Sequence, residues 1–420
     1  MIEELKNRIV AAPAFERLES EAARLAPGDV VSAEGVAGSL LALLAALLHE
    51  RLGRQVLIVA RDRESAERHR DDMGLCLRLR SVSYFAGKEG THTPGDVASD
   101  VADIQALRAL TVDHAPVAVT HPRALRLRLP APASVARQSF SLQVSAQHSM
   151  TQIRARLEES GFEQKDFVEA YGDYAVRGGI MDIYPFAGEN PVRVEFFGDT
   201  IESIREFDPL SQRSIKELSI AVIVPDFLAG PGADAPPPDA APRLASLLDY
   251  LQPDALIVID EPDLVRAELA SPGQEPSGRH LDREQIEELL GLFARVQFHS
   301  LAPLAAESIH FGATHQPAFN GSVAILRREL AQLQRRGVTA TITCDTPSEL
   351  ARIKELLATA SPTDAEQNDG EPEPGLDLAA IRFSVDALHA GFLFPEAGLA
   401  VYTEHQIFSR LKRRGRKRPP

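Results

Sequence analysis

From Met1 to about residue 130 the apolar positions fall into two alternating rhythms. MIEELKNRIVAAPAFERLESEA places apolar residues at helical spacing among charges and predicts an amphipathic helix. Asp29-Val30-Val31 leads as a strand into Gly35 and Gly38, and the apolar run after Gly38 predicts a helix over 36–50. Gln55 to Ala60, QVLIVA, is short, continuous and apolar, the mark of a strand buried on both faces. A helix over 63–77, a strand over 81–85, a helix over 97–110 and a strand over 115–120 complete the series. Strands alternating with helices imply a parallel sheet covered on both faces.

The rhythm changes between Ser139 and Asp226. A helix over 149–160 is followed by period-two stretches at 174–184, 192–197 and 200–207, with Gly198-Asp199 as a turn signal. Such hairpins predict a small α+β module. On a strand over 192–197, Val192, Val194 and Phe196 share one face, and Arg193, Glu195 and Phe197 share the other. If the apolar triplet faces the core, an Arg and an aromatic on the open face suit a protein-binding hot spot. A cross-strand ion pair with Phe197 partly covered is the plainer alternative. Ala229 to Pro242, AGPGADAPPPDAAP, reads as a linker or long loop. The α/β rhythm then resumes with a helix over 243–251, a strand over 255–260, a helix over 283–294 and a strand over 296–299. A last α/β stretch runs from Ile309 to Phe408, with helices over 322–335 and 347–358 and strands over 339–343 and 399–403. The acidic segment 361–375 that interrupts it is expected to be disordered.

Composition narrows the classes. A chain of 420 residues is too long for a single core. Two distant cysteines, Cys76 and Cys344, exclude a disulfide framework or a Cys-rich zinc site and fit a reducing cytoplasm. The longest apolar run, Gly38 to Leu48, is too short to span a bilayer, so no membrane role is expected. A net charge of −15 gives no overall pull toward nucleic acid. The exception is RLKRRGRKRPP at 410–420, with seven Lys/Arg, which reads as a nucleic-acid-contacting tail or as a solvated basic linker. His310 and His315 lack a common helical face and a fitting partner, so no metal and no cofactor are expected.

Two fragments have the outline of a nucleotide site. GVAGSLLA, Gly35 to Ala42, keeps Gly35, Gly38 and Ser39 of a phosphate loop, but has Leu40-Leu41-Ala42 where a Gly, a Lys and a Thr are needed. ALIVIDEPD ends a buried strand in Asp260-Glu261, the form of a Mg²⁺-holding, water-activating pair in helicase-like ATPases, and equally that of a turn or helix cap. Together they suggest a helicase-type domain with an eroded ATPase site and no catalytic residues.

The segment YAVRGGIMDIYP followed by PVRVEFFGDTIESIREFDPLSQRS, within 173–214, resembles the module shared by UvrB and the bacterial transcription-repair coupling factors. The flanks resemble the coupling factors. UvrB has an intact loop of the form GVTGSGKT and a tyrosine-rich hairpin, whereas residues 84–102 here hold one tyrosine. VYTEHQIF, Val401 to Phe408, matches the end of a third small domain in that family. The resemblance implies an α/β fold: a degenerate helicase-like, P-loop-type parallel-sheet domain with an inserted small α+β module and a third small α/β domain. The implied domains are 1–135 and 227–308 (UvrB-like), 136–226 (the module), 309–408 (the third domain) and 409–420 (a basic linker). It further implies a non-catalytic adaptor that docks UvrA through Arg177, Arg193, Glu195 and Phe197. RNA polymerase and double-stranded DNA are partners of the full-length family. No motor motif follows, so the chain is expected to be a fragment of a coupling factor, or a truncated relative, without polymerase grip or translocation. A sequence-independent DNA binder using the basic tail is the alternative.

Overall fold

A computed structural model describes residues 1–79, 82–87, 97–111, 116–188, 190–224, 226, 244–271, 280–300, 307–359, 376–386 and 388–409. The linker at 229–242, the acidic segment 361–375 and the basic tail 410–420 lie outside the described residues. The chain forms two compact units, one of residues 1–82, 254–268 and 290–420, the other of residues 83–253 and 269–289.

The first unit contains five parallel strands in the order Ile309–His310, Val30–Glu34, Ala294–His299, Leu256–Asp260 and Val56–Val59. The two apolar strands Val56–Val59 and Leu256–Asp260 are buried throughout, as a parallel sheet covered by helices requires. The N-terminal stretch is two helices, Ile2–Val10 and Pro13–Ala22. Pro13 sits in the first turn of the second, where its missing N–H is harmless but continuation of the first helix is blocked. The helix expected from 36 begins at Leu40 and runs to Leu52, because Gly35 and Gly38 take positive φ values of 66° and 58°. Residues Leu40 to Leu48 are all buried, which explains a helix apolar on every side. Asp62 caps the helix Arg63–Leu77 by accepting from the Ser65 amide at 2.7 Å.

The same unit carries a second sheet in the order Thr314–His315, Phe392–Phe394, Leu399–Thr403, Thr339–Thr343 and Arg382–Ser384. The last three strands are parallel, and the first two run antiparallel at the edge. Helices Val323–Arg335 and Pro347–Thr359 supply Leu326, Leu330, Leu333, Ile353 and Leu357 to a core with Ile342 and Tyr402. Cys76 and Cys344 are buried, and burial pushes both thiols up, Cys344 to about 12.

The second unit holds a six-stranded sheet in the order Ser214–Leu218, Thr200–Phe207, Val192–Phe197, Ile180–Ile183, Asp173–Arg177 and Glu163–Gln164. The stretch expected as one strand over 174–184 is a hairpin. Gly178, at φ 63°, and Gly179 form its two-residue turn between Arg177 and Ile180, as a tight hairpin demands. The helix expected over 243–251 does not form. Leu244–Ala245 pairs with Leu129–Pro130, and Leu247–Tyr250 is one 3₁₀ turn fixed by a Ser246–Asp249 capping box. The helix expected over 283–294 stops at Leu290, ahead of Gly291, and the next strand, in the first unit, begins at Ala294. Among the described residues, no helix is long and apolar enough to cross a membrane.

Candidate functional site

The outward face of the six-stranded sheet is organised around Asp182. Register sets this: Arg193 lies opposite Asp182 on one side, and Asp182 lies opposite Ala175 on the other. The residues flanking Asp182 in its strand, Met181 and Ile183, point to the inner core, so Asp182 points outward. Its side chain is nevertheless only 1% exposed, with two guanidiniums bonded to it and its cross-strand neighbour Ala175 buried in a cluster with Phe207 and Tyr184. Arg193 donates Nε and Nη2 at 2.7 and 2.9 Å, a bidentate fork, and Arg177 donates Nη2 to the same carboxylate. The Asp182 carboxylate drives the pKa of Arg193 upward. Arg193 also lies 4.6 Å from the centre of the Phe207 ring and donates to Gln212 Oε1 at 3.0 Å. Glu195 pairs across the strands with Arg205 at 2.5 Å and accepts from the Ser203 hydroxyl at 2.7 Å. That hydroxyl bond, with Arg205 beside it, holds the Glu195 carboxyl below its ordinary range. The cross-strand ion pair of the plainer reading is present, but Phe197 is not covered as that reading expected: it is 81% exposed.

Three residues of this face escaped the sequence reading. Asp182 was hidden by the unrecognised turn at Gly178-Gly179, which decides which strand lies next to Arg193. Phe167 is 57% exposed, with the Arg177 guanidinium 5.0 Å from its ring centre. Leu210 is 94% exposed at the tip of a turn that Asp208 closes by accepting from the Ser211 amide at 2.6 Å. Exposed loop apolars leave no periodic signal. The pattern of the face is a charge-neutralised centre with one extra guanidinium and bare apolar side chains around it.

The second candidate, the loop Gly35 to Ser39, is closed. Ser39 N–H donates to Ala390 O at 2.9 Å, and Ala390 N–H donates back to Ser39 Oγ at 3.0 Å. Ser39 Oγ donates to buried Asp72 at 2.6 Å, and Asp72 also accepts from the amide and Nδ1 of His389 at 3.0 and 3.1 Å. A Cβ on Gly38 would lie 2.5 Å from Gly391 O. Leu40 and Leu41, which stand where a phosphate loop has Gly and Lys, are buried and belong to the core. His69 Nε2 lies 3.2 Å from Asp260 Oδ2, and Arg61 lies 3.8 Å from the same carboxylate. Burial opposes its ionisation, but His69 and Arg61 outweigh burial and hold its pKa below the ordinary value. Glu261, at φ 53°, accepts from the Ser300 amide at 2.9 Å and from its hydroxyl. The remaining cavity, lined by Ser39, Arg61, His69, Asp72, Asp260 and His389 among others, measures about 80 Å³, far below the several hundred of a nucleotide-sized pocket. Among the described residues no group of three or more His, Cys, Asp or Glu could hold a metal ion, and His310 instead pairs with Glu34 at 3.0 Å.

Residues 140–227 match the UvrB interaction domain. The transcription-repair-coupling factor of Bacillus subtilis is 25% identical over 91% of this chain and 39% of its own length. That of Myxococcus xanthus is 25% identical over 94% of this chain and 40% of its own length. UvrABC system protein B of Thermosipho africanus is 34% identical over 21% of this chain and 13% of its own length. The chain thus resembles coupling factors along nearly its whole length and spans about two-fifths of the length of those two. This is consistent with the N-terminal portion of that family, carrying a UvrB interaction domain.

Proposed function

We propose that this chain is a non-catalytic adaptor of transcription-repair coupling that docks UvrA through the outward face of its six-stranded sheet. The observation that carries the reading is Phe197, bare to solvent beside the Arg177–Asp182–Arg193 cluster and inside the segment similar to the UvrB interaction domain. In the dock, Phe197 is the apolar anchor. Arg177, the more exposed of the two guanidiniums, offers its remaining N–H groups to a carboxylate of UvrA. Arg193 and Glu195 hold the strand surface in shape, each already bonded across the sheet. The domain division at 136–226 is part of this proposal, with the module as the docking unit. So is the absence of turnover, which the occupied loop at Ser39 supports. RNA polymerase and double-stranded DNA enter as partners of the longer relatives rather than of the surfaces described above.

Calorimetric titration with purified UvrA tests the reading, with ATP as a parallel titrant. Heat with UvrA, lost in Phe197→Ala, and no heat with ATP is the expected result. Heat with ATP and none with UvrA would overturn it. Titration with duplex DNA at rising salt separates the alternative: binding through the basic tail weakens steeply with salt and disappears on deletion of 410–420, whereas docking of UvrA does neither.

A further inference from the structure

We propose that the phosphate-loop remnant has become a receptor for the chain's own backbone, a clasp that fixes the lobe of residues 314–408 onto the parallel-sheet lobe of the same unit. A phosphate loop offers amide donors at a helix start to phosphoryl oxygens. Here the amide of Ser39, ahead of the helix Leu40–Leu52, is taken by a peptide carbonyl, Ala390 O at 2.9 Å. The contact is reciprocal, since the Ala390 amide returns to Ser39 Oγ at 3.0 Å. Asp72, on the neighbouring helix Arg63–Leu77, ties both sides together. Its carboxylate accepts from Ser39 Oγ on one lobe and from the His389 amide and ring on the other. One buried carboxylate therefore serves donors from both lobes, and separating them takes the two His389 donors away from it, a cost for a buried acidic group.

The glycines make this approach possible. Added Cβ atoms would lie 2.5 Å from Gly391 O at Gly38, 2.9 Å from the Gly312 amide at Gly35, and 2.5 Å from Val401 O at Gly391. The first two are glycines of the phosphate-loop remnant, and they now admit backbone where they would have admitted phosphate. Beside them, the Phe311 amide donates to Glu34 O at 2.9 Å and the Ala313 amide to Gly35 O at 2.8 Å, so the clasp continues the pairing of strand Ile309–His310. The loss of lysine and the retention of glycine have one cause. A clasp for neutral backbone needs close approach and no cation, and a helix start that must pack needs leucine at 40 and 41.

Hydrogen exchange read by mass spectrometry tests this on the full chain. Peptides covering 36–44 and 388–394 report the two sides, and the helix Val323–Arg335 reports folding of the lobe itself. In the wild type both sides are expected to be protected, and millimolar inorganic pyrophosphate is expected to leave them unchanged. Ser39→Ala and Asp72→Asn are each expected to speed exchange of both peptides together by about tenfold or more, with 323–335 unaffected. Ser39→Ala removes one hydroxyl and decides the matter if the Asn variant does not fold. Loosening of one side alone, no change in either, or new protection of 36–44 by pyrophosphate would overturn the clasp.

Discussion

Two places in this chain have the glycine-rich outline of a binding site, and they ended in opposite states. At the sheet face, a Cβ added to Gly178 or Gly198 would meet nothing within 4 Å. Those glycines only turn hairpins, and the turns leave Arg177 and Phe197 at the surface. At the helix start, Gly38 presses against a carbonyl and the donors behind it are occupied. The lesson is that glycine at positive φ marks a backbone path and not a ligand. What the path meets decides the role: open water in one case, another stretch of chain in the other.

The sharpest way to break the comparison is at Asp182. Asp182→Ala removes the anion that both guanidiniums share and is expected to destabilise the second unit by about 3–5 kcal/mol, read as a lower urea midpoint. An unchanged midpoint would mean that the face is not held from its centre. Next in size is the dock. Phe197→Ala and Arg177→Ala should each weaken UvrA binding by about 2–4 kcal/mol, roughly a 30- to 900-fold rise in Kd, with the urea midpoint of Phe197→Ala unmoved. Equal affinity in both variants would refute the site. A smaller effect, about 1 kcal/mol in calorimetry, is expected from Phe167→Ala, which leaves the Arg177–Asp182 pair in place while removing the ring beneath the guanidinium. The closed site gives the smallest signal. The folded pKa of Asp260 is depressed, so the stability it contributes is present above the ordinary aspartate value of about 3.9 and fades as pH falls below it. Urea midpoints of wild type and Asp260→Asn should therefore differ most near neutrality and converge in acid. A gap that widens in acid would contradict the His69 and Arg61 assignment.

Local rules were readable where local interactions decide. The buried strands Val56–Val59 and Leu256–Asp260 and the alternation in Val192–Phe197 follow from apolar period alone. The amphipathic helix Val323–Arg335 is as local, with Ser322 capping it by accepting from the Ile325 amide at 3.3 Å. Misreadings arose where one residue of turn chemistry overrides period. Pro13 splits a helix, Gly178-Gly179 folds a strand back on itself, and Ser246 with Asp249 holds a 3₁₀ turn in place of a helix. The candidate site was half legible. Arg193, Glu195 and Phe197 fall on one face by alternation, and Arg177 came from the resemblance. The partner that makes them a cluster, Asp182, depended on a cross-strand register that no single strand encodes.

The sequence by itself determined the α/β character of the first lobe, the hairpin module, the apolar run Leu40-Leu41-Ala42 after Ser39 and the absence of a Cys-rich metal or disulfide framework. Each follows from residue type at short spacing. Only the tertiary structure decided that Asp182 joins Arg177 and Arg193, that Phe197 stays in solvent, and that Ala390 enters the cradle at Ser39. These contacts bring together residues 11 and 351 positions apart, as in Arg193–Asp182 and Ser39–Ala390. Chain separation of that kind is bridged by the packing of whole sheets and helices, and packing is a property of all the buried surfaces at once rather than of any one segment.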